Sequence, residues 1–137
     1  MINTKLGKLY KNKLELLIKK LDTRKINILC NIIKNTSKNG GKIYIFGNGG
    51  SASTANHFAN DMTKNAKIKT QSFSNDNLIT CYSNDYGFEN WIKKAIEHYI
   101  NVNDLVIFVS ASGNSMNLVN GAKLCKIKKI LLLFLML

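Results

Sequence analysis

The run Leu105-Val106-Ile107-Phe108-Val109 limits the fold more than any other stretch. It is apolar without alternation, the mark of a strand buried on both faces, as in parallel sheets. It stops at Ser110-Ala111-Ser112-Gly113-Asn114-Ser115, and a helical pattern then runs up to Lys126. Lys42-Ile43-Tyr44-Ile45-Phe46 repeats the design. That run halts at Gly47-Asn48-Gly49-Gly50-Ser51 and turns helical from about Ser53 to Asn65. Further along, the pattern predicts a strand near Lys69 to Phe73 and turn chemistry over Ser74-Asn75-Asp76-Asn77. A helix carrying Trp91, Ile92, Ala95, Ile96 and Tyr99 follows, and a last strand over Lys129 to Phe134. Strands alternating with helices predict an α/β fold with a parallel sheet and right-handed crossovers.

Two helices precede the sheet. Leu9, Leu14, Leu17, Ile18 and Leu21 stand at helical spacing among lysines, and Ile26, Leu29, Cys30 and Ile33 mark a second helix that stops before Asn39-Gly40-Gly41. Residues 1–38 are expected to form a helical arm whose leucine stripe packs on its own domain or on a sister subunit. Residues 42–137 are expected to form a parallel α/β sandwich, left incomplete at its end, and with the arm they make one domain, in keeping with 137 residues in all. Residues Met1 to Leu21 have no apolar centre, so no secretory signal is expected, and the longest apolar run, Ile130 to Leu137, holds eight residues. About 18 would be needed to cross a membrane. Three cysteines, Cys30, Cys81 and Cys125, are widely spaced and odd in number, which argues against a disulfide framework. The expectation is a cytoplasmic domain.

The net charge of +12 comes from 20 basic and 8 acidic residues, yet Arg24 is the only arginine. Bidentate recognition of phosphate and guanine favours arginine, so the charge reads as a solvated lysine surface and not as a nucleic-acid face. The same lysines suit attraction of a phosphorylated metabolite.

The two loops carry the chemistry. Each leaves the carboxyl end of an apolar strand and enters a helix, where open α/β sheets bind ligands. Hydroxyls, glycines and free N–H groups at a helix start suit a terminal phosphate. Neither loop matches the dinucleotide or P-loop fingerprints. The plainer alternative is that glycine and serine merely turn the chain and cap helices. His57 and Asp61, at i,i+4 spacing just past the first loop, share a helical face. They suit a divalent metal, a proton transfer, or a solvated pair. His98 reads as a surface residue, and Glu89 and Glu97 as helix charges. Asn84-Asp85-Tyr86-Gly87 alone reads as a turn.

Three ordered motifs, GNGGSASTANHFAND, CYSNDYGFE and SASGNSMN, resemble the sugar isomerase (SIS) domain, specifically the phosphoheptose isomerases. The resemblance runs from about Gly41 to Lys126. It implies a three-layer αβα sandwich, a flavodoxin-like doubly wound parallel sheet with an N-terminal helical arm, assembled as a homotetramer. It implies isomerisation of sedoheptulose 7-phosphate to the aldoheptose 7-phosphate for bacterial surface polysaccharide (lipopolysaccharide or capsule). By position, Ser110, Ala111, Ser112 and Ser115 match the grip on the sugar phosphate, with alanine where a threonine is frequent. Asn48, Gly49 and Gly50 match the substrate loop, with Ser51 beside them, and Asn84 and Asp85 match the pair that contacts the sugar. His57 matches a zinc ligand, and Asp61 matches a glutamate that is both ligand and catalytic base, one methylene longer than the residue here.

The family pattern continues beyond this chain's length, through a glutamine and a histidine that complete the metal site. The ending at Ile130 to Leu137 therefore looks like a truncated or frameshifted frame, with a genuine short variant as the alternative. An unpaired apolar strand is expected there, and weakened activity. The rival from another class is a non-catalytic SIS module that binds sugar phosphate or adapts a replication initiator.

Overall fold

A computed structural model of the chain describes residues 4–136. The elements run α1 (Thr4–Lys19), α2 (Thr23–Lys38), β1 (Ile43–Gly47), α3 (Gly50–Lys64), β2 (Thr70–Ser72), α4 (Asp76–Tyr86), α5 (Trp91–Tyr99), β3 (Leu105–Ser110), α6 (Met116–Ile127) and β4 (Leu131–Met136). The chain divides into two compact units, one running to Ile32 and the other beginning at Ile33. Leu137, the last residue of the expected tail, lies outside the described residues. Among the described residues no helix is long and apolar enough to cross a membrane.

In the first unit, α1 has an apolar stripe but no buried side chain, and Leu9, Leu14 and Leu17 stay exposed. The turn into α2 is set by Asp22, whose Oδ1 accepts from the backbone N–H of Arg24 at 2.9 Å. The Arg24 guanidinium beside it holds the Asp22 carboxyl below the usual carboxylate range.

The second unit holds a four-stranded, all-parallel sheet in the order β2-β1-β3-β4. β1 and β3 are the central strands, in register from Ile43 beside Leu105 to Gly47 beside Val109. Every residue of both is buried, so their unbroken apolar runs are explained by cover on two faces. Alternation divides the side chains. Tyr44, Phe46, Val106 and Phe108 join Trp91, Ile92 and Ile96 of α5 and Leu118 and Cys125 of α6 in one core. Ile43, Ile45, Leu105 and Ile107 turn to the opposite face, where α3 approaches the sheet on the small buried residues Ala55 and Ala59. The result is three layers. α5 and α6 pack so closely that a Cβ at Gly121 would stand 2.8 Å from Cγ2 of Ile92. Burial pushes the Cys125 thiol up to about 11, so at neutral pH it is a small apolar filler and not a nucleophile.

Three expectations need correction. Ser74 to Asn77 is not a turn between elements. Asn75 caps α4, its side chain accepting from the N–H groups of Asn77 and Leu78, and Asp76 already belongs to the helix. The Asn84-Asp85 pair consequently sits in the last turn of α4 and not in a free turn. The apolar tail is not unpaired either: Ile130 is buried, and β4 pairs with β3 at six positions, Leu105 beside Leu131 to Ser110 beside Met136. Its outer side chains remain exposed, with Met136 at 69%.

The amino ends of the central strands are fastened by Asp104, which is 6% exposed. Its Oδ1 accepts from the N–H of Lys42 and its Oδ2 from the N–H of Asn101, both at 2.8 Å. Replacing Asp104 with alanine leaves two inward donors without partners. It should lower stability by about 2–3 kcal/mol, the scale of hydrogen bonds to a charged group. Urea unfolding with an unchanged midpoint would contradict this role.

Candidate functional site

The site lies at the point where the sheet order turns. From β1 the chain crosses to β2 on one side, and from β3 it crosses to β4 on the other. The loops after β1 and β3 therefore diverge, leaving a crevice at the carboxyl edge between neighbouring strands. Both sequence-predicted loops open onto that crevice.

In the first loop, β1 runs into α3 with almost no slack. A Cβ at Gly47 would lie 2.6 Å from the backbone carbonyl of Ser51, so only glycine fits. Gly49 adopts φ 52° and precedes the helix without a side-chain cap. α3 thus begins at Gly50, three residues before the expected start, and no side chain makes a capping bond at its positive end. Ser51 is half-buried in that first turn.

The second loop divides its serines between two tasks. Ser110 is 4% exposed, and its Oγ accepts from the N–H of Gly113 at 3.0 Å, which holds the loop's shape. Gly113 takes φ 68° to make that return. Ser112 is exposed, its Oγ accepting from the N–H of Asn114 at 3.3 Å, and Ala111 is exposed beside it. Ser115 precedes α6, and its hydroxyl makes no capping bond. Ser112 and Ser115 therefore keep hydroxyl capacity at the positive end of α6.

The two loops are joined. Asn48 Nδ2 donates to Asn117 Oδ1 and Asn117 Nδ2 donates to Asn48 Oδ1, both at 2.9 Å. Asn117 is 1% exposed. Sequence reasoning missed it as a site residue. An asparagine among apolar helix neighbours was the one signal available, since a buried amide there must find partners.

Asn84 and Asp85 are exposed and bond to each other, Asn84 Nδ2 to Asp85 Oδ1 at 3.0 Å. The turn after α4 is tied to α6 through Asn120 Nδ2, which donates to the carbonyl of Glu89 at 3.0 Å. That bond holds the segment just past α4 against the early turns of α6.

His57 and Asp61 meet as their spacing predicts, Nε2 to Oδ2 at 3.3 Å, with side chains 83% and 54% exposed. The second oxygen of Asp61 accepts from Asn65 Nδ2 at 3.2 Å. Among the described residues no group of three His, Cys, Asp or Glu is placed to hold a metal ion. Two exposed donors do not fit a closed zinc site, which takes four ligands, nor a catalytic one, which takes three.

Two further pairs of titratable groups lie on α4 and α5. His98 accepts or donates at Nδ1 to the Tyr82 hydroxyl at 2.8 Å, so it is partnered although exposed. Lys94 sits 2.7 Å from Glu97, which raises the lysine and lowers the carboxyl relative to their ordinary ranges. A cleft of about 490 Å³ opens between β2, α4 and Tyr99, walled by Phe73, Leu78 and Tyr82, and it contains none of the sequence-predicted residues.

The SIS-domain model matches residues 9–131. The phosphoheptose isomerase of Campylobacter concisus is 35% identical over 107 residues, covering 74% of this chain and 57% of that protein. The phosphoheptose isomerase of Helicobacter pylori strain P12 is 38% identical over 101 residues, covering 69% and 53%. The chain spans about half the length of the curated relatives it matches. In fold it is similar to a phosphoheptose isomerase of Neisseria gonorrhoeae, with TM-score 0.87 at 23% identity over 98% of this chain and 74% of that one. A phosphoheptose isomerase of Francisella tularensis gives 0.86 at 20% identity, over 97% and 74%. The three-layer parallel sheet, its order and the loops at its turning point are thus those of a known architecture, and the chain belongs to the SIS-domain family.

Proposed function

We propose that this chain is the sugar-phosphate-binding portion of a phosphoheptose isomerase-like enzyme. The substrate is sedoheptulose 7-phosphate, interconverted with the glycero-manno-heptose 7-phosphate for lipopolysaccharide or capsule synthesis in the cytoplasm. One observation carries the reading: Ser112 and Ser115 hold open hydroxyls at the start of α6, in the crevice between the two central strands. An anionic phosphate is the ligand such a helix end favours. In this reading Ser110 and Ala111 shape the phosphate loop, while Ser112 and Ser115 bond the phosphate oxygens. Asn48, Gly49, Gly50 and Ser51, with Asn84 and Asp85, meet the sugar. The homotetramer belongs to the same proposal, supported by the exposed leucines of α1.

The chemistry is proton transfer between adjacent carbons through an enediol, with Asp61 taking the proton from carbon. Its imidazole neighbour His57 holds the carboxylate from one side. The donor set here does not fit zinc, so no step is routed through a metal. The base is exposed and shortened, and it stands three turns along α3 from the first loop, which favours a second reading in which these 137 residues bind sugar phosphate and turn it over slowly.

Calorimetry tests the binding claim. Ser112→Ala should weaken sedoheptulose 7-phosphate by about 1–2 kcal/mol, the scale of a charge-assisted hydrogen bond. Unchanged affinity in the folded variant would remove Ser112 from the site. In a coupled assay the 137-residue protein should turn over at least ~10²-fold more slowly than a full-length relative, the cost of an impaired acid–base pair. Equal turnover would contradict that expectation.

A further inference from the structure

We infer that Asn117 is a positioning residue, which sets the orientation of the Asn48 carboxamide and through it the recognition of a sugar hydroxyl. The inference rests on the sugar-phosphate reading above, and Asn117, only 1% exposed, would act through Asn48.

The backbone N–H of Leu118 donates to Asn117 Oδ1 at 2.9 Å. Only an oxygen can accept there, so this bond fixes which end of the buried Asn117 carboxamide is oxygen and which is nitrogen. Asn48 must then present its nitrogen to Asn117 Oδ1 and its oxygen to Asn117 Nδ2, as the two 2.9 Å bonds show. An asparagine side chain has two N–H donors and two acceptor lone pairs. The clasp uses one of each on Asn48, leaving one N–H and one lone pair at fixed places on a half-buried residue. These two places lie at opposite ends of the carboxamide, so a sugar hydroxyl can accept from the N–H or donate to the lone pair, and each end is kept distinct. Without Asn117, the Asn48 amide is free to rotate and flip, and a ligand must order it on binding. Ordering one such side chain weakens binding by roughly 3- to 10-fold.

The clasp also spans the crevice, joining positions 69 residues apart in sequence. A purely structural role would therefore loosen both loops and the whole ligand with them. A positioning role acts on the sugar and spares the phosphate. That difference decides the test.

Binding of sedoheptulose 7-phosphate and of inorganic phosphate is measured by calorimetry for the wild type, Asn48→Ala, Asn117→Ala and the double variant. Asn117→Asp is added as a shape-conserving change. It keeps an oxygen for Leu118 but faces a second oxygen toward Asn48 Oδ1, and it guards against a folding defect in the alanine variant. Asn117→Ala and Asn117→Asp should each bind the sugar phosphate roughly 3- to 10-fold more weakly. The double variant should be no weaker than Asn48→Ala, and inorganic phosphate should bind all folded variants alike. Additive losses in the double variant, wild-type affinity in Asn117→Asp, or equal loss of both ligands would overturn the positioning role. Failure of the wild type to bind either ligand would sink the sugar-phosphate reading itself, and this role with it.

Discussion

The pairing of β1 with β3 organises everything else in the second unit. These strands are separated by two helical crossovers and a third strand, yet they lie side by side in parallel register at the centre of the sheet. Parallel pairing puts both carboxyl ends at one edge, and the reversal of strand order there opens a crevice that no side chain has to carve. Buried polar side chains stand at both ends of the pair. Asp104 binds the amino end through two backbone N–H groups, and the Asn48–Asn117 clasp binds the loops at the carboxyl end. Buried polar groups are tolerated at these two places because each finds its partners.

The same pairing explains which features were legible in the sequence. β1 and β3 stand out because burial on both faces requires apolar residues at every position, and their loops because phosphate-type geometry needs glycine and serine. Gly47 was legible as a loop glycine, whereas its contact with the Ser51 carbonyl belongs to the fold. α4 was hidden by weak helix formers, with Thr80, Cys81, Ser83 and Asn84 in its length and only Leu78, Ile79 and Tyr82 packed against the core. Its cap, Asn75, uses the residue type that also makes turns, so the local signal pointed either way. Asn117 and Asp104 were invisible for a different reason. A single buried polar residue gains its meaning from partners that are 69 and 62 positions away.

His57 and Asp61 illustrate the limit from the other side. Their spacing announced the contact, and the contact exists, but spacing does not report exposure. A solvated i,i+4 pair is worth little on its own. The two loops are held in shape within this unit, while the His57–Asp61 pair stands open to water. The proposed recognition of a sugar phosphate therefore rests on ordered backbone, and the proposed proton transfer on an exposed pair.

A structure of the protein with sedoheptulose 7-phosphate bound tests that claim most directly. The expected result is a phosphate at the start of α6, its oxygens about 2.7–3.0 Å from Ser112 Oγ and Ser115 Oγ, with the sugar reaching toward Asn48. A ligand found instead in the cleft between β2 and α4, against Phe73 and Tyr99, would contradict it.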